Sequence, residues 1–236
     1  MKFILLSITT ILFTFIFGIL YSFINKQNGK IIQRTCGWTI FCLLCSIGTI
    51  IHELSHLVFA LIFLHKPTKI ELFRPVKGKI DGRLGFVEHT YKKTRYRTAG
   101  NFFIGAAPMI CGSIIIIILL NMIGINDFNI NTLFNQIKNI NFKNPLILIG
   151  IYSIFSITIN MDMSSADMKN SLSGIISFLV LTILVYFVSN YFGFSLYDKY
   201  LLFVNNYFYI LLFGLIMCLI SLFVNFCISI IMKIFK

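Results

Sequence analysis

The chain has 236 residues, a formal net charge of +12, 58% hydrophobic residues and only 12% charged residues. About a quarter of the residues in an ordinary soluble domain are charged, so this composition excludes a water-soluble globular protein. Nucleic-acid binding is also disfavoured, because the basic residues lie between apolar segments and do not form one aromatic-interleaved surface. The sequence therefore predicts an all-α polytopic membrane protein.

Six apolar runs are candidates for membrane crossings, each of which needs about 20 residues. In chain order they cover residues 3–24, 36–64, 100–123, 145–160, 173–193 and 203–232. The first follows a single lysine, Lys2, and no small-residue cleavage pattern comes after it, so we expect an anchoring helix and not a signal peptide. The six cysteines lie within or at the edges of these runs, and we interpret them as small apolar packing residues.

Residues 65–99 separate the second and third runs and contain half of the twenty Lys and Arg residues. Stretches such as TKIELFRPV alternate apolar with polar residues, which predicts a small β-hairpin. Gly78, Asp81 and Gly82 are expected to supply its turn, because glycine tolerates positive φ angles. We interpret His65 and His89 in this basic segment as surface residues.

The distribution of basic residues also predicts orientation. Under the positive-inside rule, the hairpin and both termini of this multi-pass cell-membrane protein lie in the cytoplasm. The basic residues are expected to contact anionic lipid headgroups.

The second run contains the pattern His52-Glu53-Leu54-Ser55-His56. In a helix, histidines four residues apart share a face and can bind one zinc ion, with the glutamate beside them. In zinc peptidases with this pattern, a carboxylate takes the proton of a zinc-activated water and delivers it to the leaving amine. A charged group in a crossing helix costs at least about 2.5–3.5 kcal/mol, so three ionisable groups in one turn indicate a functional site.

Two histidines leave a catalytic zinc one protein ligand short. The polar stretch 160–170 interrupts the fourth run and offers Asp162 and Asp167. Counted along helices that start from one face, Asn160 and His52 lie at similar depth, roughly 23 Å. Polar backbone at such depth is tolerated where it lines a protein-enclosed cavity, which favours a site; a plain cytoplasmic loop is the alternative interpretation.

Two asparagines are candidates for a different contact. Asn160 and Asn101 can donate a hydrogen bond to an oxyanion or to a substrate. Hydrogen bonding between helices is the alternative role for either residue.

Together these motifs resemble the site-2 protease family of intramembrane zinc metalloproteases. The resemblance covers roughly residues 36–175 and rests on HELSH, the Gly-rich and Pro-containing AGNFFIGAAP of residues 99–108, and the Asn-to-Asp motif after it. It implies Asp167 as the third zinc ligand, with Asp162 as the alternative. It also implies a cytoplasm-facing hairpin to whose edge an unwound substrate adds as a strand. The chain departs from the family pattern in three ways: Met168 replaces a glycine, the spacer is one residue short, and no PDZ-like domain is recognisable.

We therefore expect an N-terminal anchor and loop (1–35), a metalloprotease core (36–175) and two C-terminal transmembrane helices (176–236). The expected function is an intramembrane zinc metalloendopeptidase that cleaves in or near transmembrane segments, with one Zn2+ per chain and Glu53 as general base and acid. Its expected partners are membrane-embedded or membrane-tethered proteins. The alternatives are a zinc-binding membrane protein without proteolytic activity, serving transport, structure or substrate sequestration, and a metal-independent scaffold.

Overall fold

The computed structural model describes residues 2–126, 130–193 and 196–234, and this part of the chain is mostly helical. Its elements are α1 (Lys2–Thr35), α2 (Gly37–Ile62), β1 (Lys66–Glu71), α3 (Pro75–Asp81), β2 (Phe86–Thr90), α4 (Arg95–Met122), α5 (Ile130–Lys138), α6 (Pro145–Thr158), α7 (Ser165–Tyr191) and α8 (Leu196–Ile234). α1 continues to Thr35, beyond the predicted apolar run 3–24 and through residues for which the sequence predicts a loop, and Gly37 has a φ of +84° at the start of α2. The predicted boundary at residue 175 falls inside α7.

Five of these helices, α1, α2, α4, α7 and α8, are long and apolar enough to cross a membrane. Many large apolar side chains on them are exposed, which is typical of a surface that faces lipid. Length and composition thus support the predicted multi-pass helical protein. The remaining predicted crossing, α6, has 14 residues, about 21 Å of helix, and is too short for a hydrocarbon core of about 30 Å.

Two contacts at different positions along each helix pair show the direction of α6 and of α4 relative to α2. The pairs are Ser46–Tyr152 and His52–Asn160 for α2 with α6, and His56–Ile104 and Phe63–Tyr96 for α2 with α4. Residue numbers rise together in the first two pairs and in opposite senses in the last two. α6 is therefore parallel to α2, and α4 is antiparallel to both.

α6 and α7 run in the same direction, one after the other. α7 packs antiparallel to α4, since Gly105 lies against Asp167 while Ser171 donates to the carbonyl of Phe102 at 3.2 Å. α7 therefore continues in the direction of α6. The two helices are joined by residues 159–164, which are not helical. The predicted fourth and fifth crossings are thus two halves of one path.

α1 and α8 run in the same direction. The contacts that show this are Thr10–Tyr200, Thr14–Tyr207, Tyr21–Leu211 and Asn28–Ser221. Lys2 and the carboxyl end of α8 therefore lie at opposite ends of the helix bundle. This disagrees with the expectation that both termini share one face, and the difference arises because α6 and α7 were counted as two crossings.

The predicted hairpin is present as antiparallel strands β1 and β2. The paired residues run from Lys66 with Thr90 to Glu71 with Phe86. The connection is longer than a tight turn, because residues 72–85 include α3. Gly78 and Asp81 lie within that helix, and only Gly82 has the expected positive φ (+75°), where it ends α3.

The hairpin lies along α2 instead of projecting beyond its end. β1 begins shortly after the carboxyl end of α2, yet the indole N–H of Trp38, at the opposite end of α2, donates to the carbonyl of Pro75 at 2.8 Å. The two strands therefore pass beside the middle of α2, where the histidine pattern lies. The sequence prediction placed this whole segment beyond the cytoplasmic end of the helix and missed this arrangement.

Ion pairs within the hairpin neutralise its half-buried basic residue Arg74, whose side chain is 12% exposed. Arg74 contacts Glu71 at 3.6 Å and also Asp81, and its guanidinium lies 4.6 Å from the ring centre of Phe86. Lys77 donates to Glu71 at 2.7 Å, which lowers the pKa of that carboxyl group. Paired charges lose less on leaving water than isolated charges do.

Gly48 is the point of closest approach between α2 and α6. A Cβ atom there would lie 1.9 Å from the carbonyl oxygen of Ser156. We expect Gly48→Ala to push the helices apart and to lower the free energy of unfolding by about 1–3 kcal/mol. Thermal unfolding in detergent measures the effect. Gly29→Ala is the control, because its Cβ would meet only the side chain of Phe41 at 3.2 Å, and equal melting of the two variants would contradict the prediction.

Candidate metal centre

The three ionisable groups of the α2 pattern face the interior of the protein. Glu53 and His56 are 8% and 6% exposed, and His52 is half-buried. Leu54, between them in sequence, is 43% exposed and lies on the outer side of the helix. The four-residue spacing therefore directs both imidazoles to the break between α6 and α7.

Each imidazole is held by a backbone carbonyl. Nδ1 of His52 lies 2.7 Å from the carbonyl oxygen of Asn160, and Nδ1 of His56 lies 2.7 Å from that of Ile104. A carbonyl oxygen only accepts, so we assign the hydrogen to Nδ1 in both rings. This tautomer leaves a lone pair on each Nε2, which is the form of histidine that binds a metal.

The unprotonated nitrogens converge with a carboxylate. The Nε2 atoms of His52 and His56 are 3.2 Å apart, and Nε2 of His56 lies 3.4 Å from Oδ1 of Asp167. Ligand atoms from all three residues lie within 4.8 Å of one another. Two Zn–N bonds of about 2.0–2.1 Å at a tetrahedral angle separate the nitrogens by about 3.3 Å, so the spacing and the donor set fit a bound zinc ion.

Asp167 is oriented by the start of α7. Ser164 is the N-cap residue, and its Oγ accepts from the N–H of Asp167 at 3.2 Å. In return, Oδ2 of Asp167 accepts from the N–H of Ser164 at 2.9 Å. This capping box occupies one carboxylate oxygen and leaves Oδ1 facing the histidines.

Asp162, the alternative ligand, lies outside the metal-capable group. Its neighbours Met161 and Met163 are buried in the core, at 1% and 0% exposure. Met168, which stands where the site-2 protease pattern has a glycine, packs against the same core. Met168 therefore leaves the carboxylate of Asp167 free to face the histidines.

Asn160 contributes to the site through its backbone and to helix packing through its side chain. The amide nitrogen donates to the carbonyl of Ser156 at 2.8 Å, and the amide oxygen accepts from Thr49 at 3.2 Å. Asn101 similarly donates to Tyr91 and Ser173, at 2.7 and 2.8 Å. These contacts fit the helix-packing alternative, and an oxyanion contact by either residue stays a prediction.

Glu53 is covered by the hairpin. A Cβ atom at Gly85 would lie 2.7 Å from Cγ of Glu53 and 2.8 Å from the carbonyl oxygen of Leu72. Only a residue without a side chain lets the chain just before β2 approach this closely. The sequence pattern around Gly85 did not indicate this contact, because it depends on the hairpin lying along α2.

The sequence prediction also missed two backbone carbonyl groups, the capping box and the burial of His65. The carbonyl groups of Asn160 and Ile104 carry no side-chain signal. The capping box did carry one, since a serine three residues before an aspartate is its usual pattern. His65 is 3% exposed, which contradicts its interpretation as a surface residue.

Within the described ranges, the group that can hold a metal ion is His52, His56 and Asp167, in a helical protein with five long apolar helices. No protein-family model, curated protein or solved structure matches this chain.

The capping box leads to a prediction about metal retention. Ser164→Ala removes the cap of α7, so we expect a loss of about 1 kcal/mol in stability and faster release of bound zinc to a chelator, because Asp167 loses its anchor. Zinc release is followed with a colorimetric chelator, and stability by thermal unfolding. Ser165→Ala, at an exposed neighbouring position, is the control. Unchanged zinc release in Ser164→Ala would rule out this role.

The contact over Glu53 leads to a second prediction. Gly85→Ala introduces a Cβ that collides with Glu53 and with backbone, so we expect the free energy of unfolding to fall by about 1–3 kcal/mol while metal content stays at the wild-type level. Metal analysis and thermal unfolding measured on one preparation separate the two effects. Gly82→Asn is the control, since asparagine tolerates the left-handed conformation and no atom lies within 4 Å of the new Cβ. An unchanged melting temperature of Gly85→Ala would show that the close contact is not required.

Proposed function

We propose that this chain is an intramembrane zinc metalloendopeptidase that hydrolyses peptide bonds in or near transmembrane segments. In this proposal His52, His56 and Asp167 hold one zinc ion and Glu53 is the general base and acid. The observation that carries the proposal is the convergence of two Nε2 lone pairs and a carboxylate oxygen beside a buried glutamate. The resemblance of the motifs to site-2 proteases supports the same function.

The proposed ligands form a set suited to catalysis. Zinc held by three protein ligands keeps an open position, at which it polarises a carbonyl group and activates water. His52 and His56 supply neutral nitrogens whose orientation is maintained by the backbone of two other helices. Asp167 supplies the negative charge, and its second oxygen is anchored by Ser164. Contacts within the protein thus bring the proposed ligands from α2 and α7 together.

Glu53 is suited to proton transfer because it is adjacent to a ligand without belonging to the ligand group. Its carboxylate takes a proton from the attacking water and then returns it to the leaving amine. The covering hairpin, with Gly85 against Glu53, limits the entry of bulk water. Water exclusion strengthens the electrostatic interactions that such a reaction uses.

The substrate is proposed to be a membrane-embedded or membrane-tethered protein that binds in extended form. An intact helix hides its carbonyl groups in its own hydrogen bonds, so the cleaved segment must unwind. The two-stranded sheet of the hairpin has free edges to which an extended segment can add. Exposed Lys92 and Lys93, between β2 and α4, and Arg95, the first residue of α4, are proposed to contact anionic headgroups on the cytoplasmic face.

The test measures metal and activity on the same detergent-purified protein. We expect about one zinc per chain in the wild type and in Glu53→Gln, and little in a His52→Ala, His56→Ala double variant. We expect the wild type to cleave labelled casein, an unstructured protein, and Glu53→Gln to be slower by at least about a hundredfold because glutamine cannot take a proton. Asp167→Ala is expected to lose zinc, with Asp162→Ala as its matched control.

Each alternative function gives a different result. Zinc in the wild type without Glu53-dependent cleavage would favour a zinc-binding protein that is not a protease. Absence of zinc under conditions that retain weakly held metal would remove the basis of the proposal. Loss of zinc in Asp162→Ala alone would move the third ligand to that residue.

A further inference from the structure

A second histidine pair lies at the base of the hairpin, apart from the metal-capable group. Nδ1 of His65 lies 3.0 Å from Nδ1 of His89, and Nε2 of His65 lies 2.9 Å from the carbonyl oxygen of Arg97. The ring of His65 stacks on that of Tyr91 with the centroids 4.3 Å apart. His65 is thus fixed by contacts with β2, with the residue after β2, and with α4.

The backbone that presents His65 is strained. Leu64 has a φ of +57°, a left-handed conformation that is costly for a bulky residue. This conformation turns the chain back so that the N–H of His65 donates to the carbonyl of Ala60 at 2.8 Å. Strained backbone persists only where surrounding contacts determine it, and such positions concentrate at functional sites.

The contacts of His65 determine which nitrogen of His89 carries hydrogen. The Arg97 carbonyl only accepts, so Nε2 of His65 donates to it and Nδ1 of neutral His65 bears a lone pair. Nδ1 of His89 must then donate to that lone pair. Burial and the neighbouring His65 both lower the pKa of His89, which favours a neutral ring. Nε2 of His89 is therefore left as a hydrogen-bond acceptor.

His89 lies on the face of β2 that is turned toward the site. Alternate residues of a strand share a face, so Val87 and His89 of β2 point the same way, and Gly85 directly precedes the strand. Gly85 lies directly against Glu53, and Val87 and His89 are half-buried while Glu88 is exposed. The charge of Asp167 also acts on His89, in the direction opposite to burial. The inner face of β2 thus runs from Glu53 along the approach to the metal-capable group.

The acceptor on this face is unused. Within the described part of the chain, Nε2 of His89 has no hydrogen-bond partner and is not among the polar atoms buried without one. It remains accessible to a bound molecule. An extended peptide that lies beside the site presents backbone N–H groups, and each of these needs an acceptor away from water.

We propose that His89 is a substrate-contacting residue: its Nε2 accepts a hydrogen bond from a backbone N–H of an extended peptide bound along the inner face of β2. His65 is a positioning residue that sets the tautomer of His89. This inference rests on the proposed peptidase function and adds a specific contact for its substrate. No proton transfer and no metal ligation by His89 is involved.

The test measures peptide binding without cleavage. Fluorescein-labelled casein is titrated with Glu53→Gln protein, and Kd is obtained from fluorescence polarisation. Adding His89→Ala should weaken binding about five- to tenfold, the effect of losing one hydrogen bond in a desolvated site. His89→Gln, which keeps an acceptor near the Nε2 position, should bind within about twofold of the parent. Thr90→Ala, on the exposed face of β2, is the matched control and should not change Kd.

The role of His65 is tested in the same assay. His65→Leu removes the acceptor for His89 and should weaken binding as His89→Ala does, whereas His65→Asn keeps an acceptor near the Nδ1 position and should restore most of the affinity. A loss that asparagine does not restore would indicate only a packing role. Zinc content and melting temperature are measured for every variant, because the proposal requires both to stay at the parent level.

The outcomes separate this inference from the proposed function. Wild-type cleavage of casein with an unchanged Kd in His89→Ala overturns the contact and leaves the protease. Loss of zinc in His89→Ala overturns the contact as well, because His89 would then belong to the metal centre. Weakened binding in His89→Ala and normal binding in His89→Gln supports the contact, even where wild-type protein fails to cleave and the protease proposal itself falls.

Discussion

The structure depends on the way in which an interrupted helix is sealed inside an apolar bundle. Between α6 and α7 the backbone leaves its helical hydrogen bonds, and a bilayer tolerates this only where protein supplies other partners. α2 supplies them. Asn160 uses its side chain to join Ser156 and Thr49, and its carbonyl accepts from His52. The same contacts that make the interruption tolerable also hold the imidazole of His52, a member of the metal-capable group, in one orientation.

The contacts of the interruption thus serve both the fold and the metal-capable group. Some of these features are visible in the sequence and others are not. The pattern from His52 to His56 is visible because three ionisable groups in an apolar run are costly, and their spacing alone places them on one face. The polar stretch that contains Asp167 is visible for the same reason. Its geometry is not visible, because choosing between Asp162 and Asp167 from residues alone requires knowing where α7 begins. The serine cap supplies that information, since it fixes the first turn of α7 and directs one oxygen of Asp167 to the histidines.

The errors in the predicted fold have a physical cause as well. Hydropathy measures how apolar a segment is and not its direction, so it predicts two crossings from two apolar segments on either side of a polar stretch. Contacts with α2 and α4 show that they continue in one direction. The hairpin was misplaced for a related reason. Its lysines and arginines indicate a solvent-exposed segment when counted singly, but Arg74 and Lys77 are paired with Glu71 and Asp81 within the hairpin. Pairing offsets the burial of Arg74, while Lys77 stays exposed on the outer side of the hairpin.

A hairpin in that position changes how the centre operates. Gly85, directly before β2, covers Glu53, and the charge of Asp167 acts on His89 in β2, so the hairpin both shields the proposed catalytic carboxylate and borders the approach to it. Under the proposed peptidase function, a peptide that reaches the metal-capable group passes this face, and its backbone is extended there to fit beside a strand. The close packing of Gly85 on Glu53 leaves no room for a side chain at that point. In that proposal, access to Glu53 requires the hairpin and the bound peptide to adjust together, which makes the fit of the peptide to β2 part of the selection of substrate.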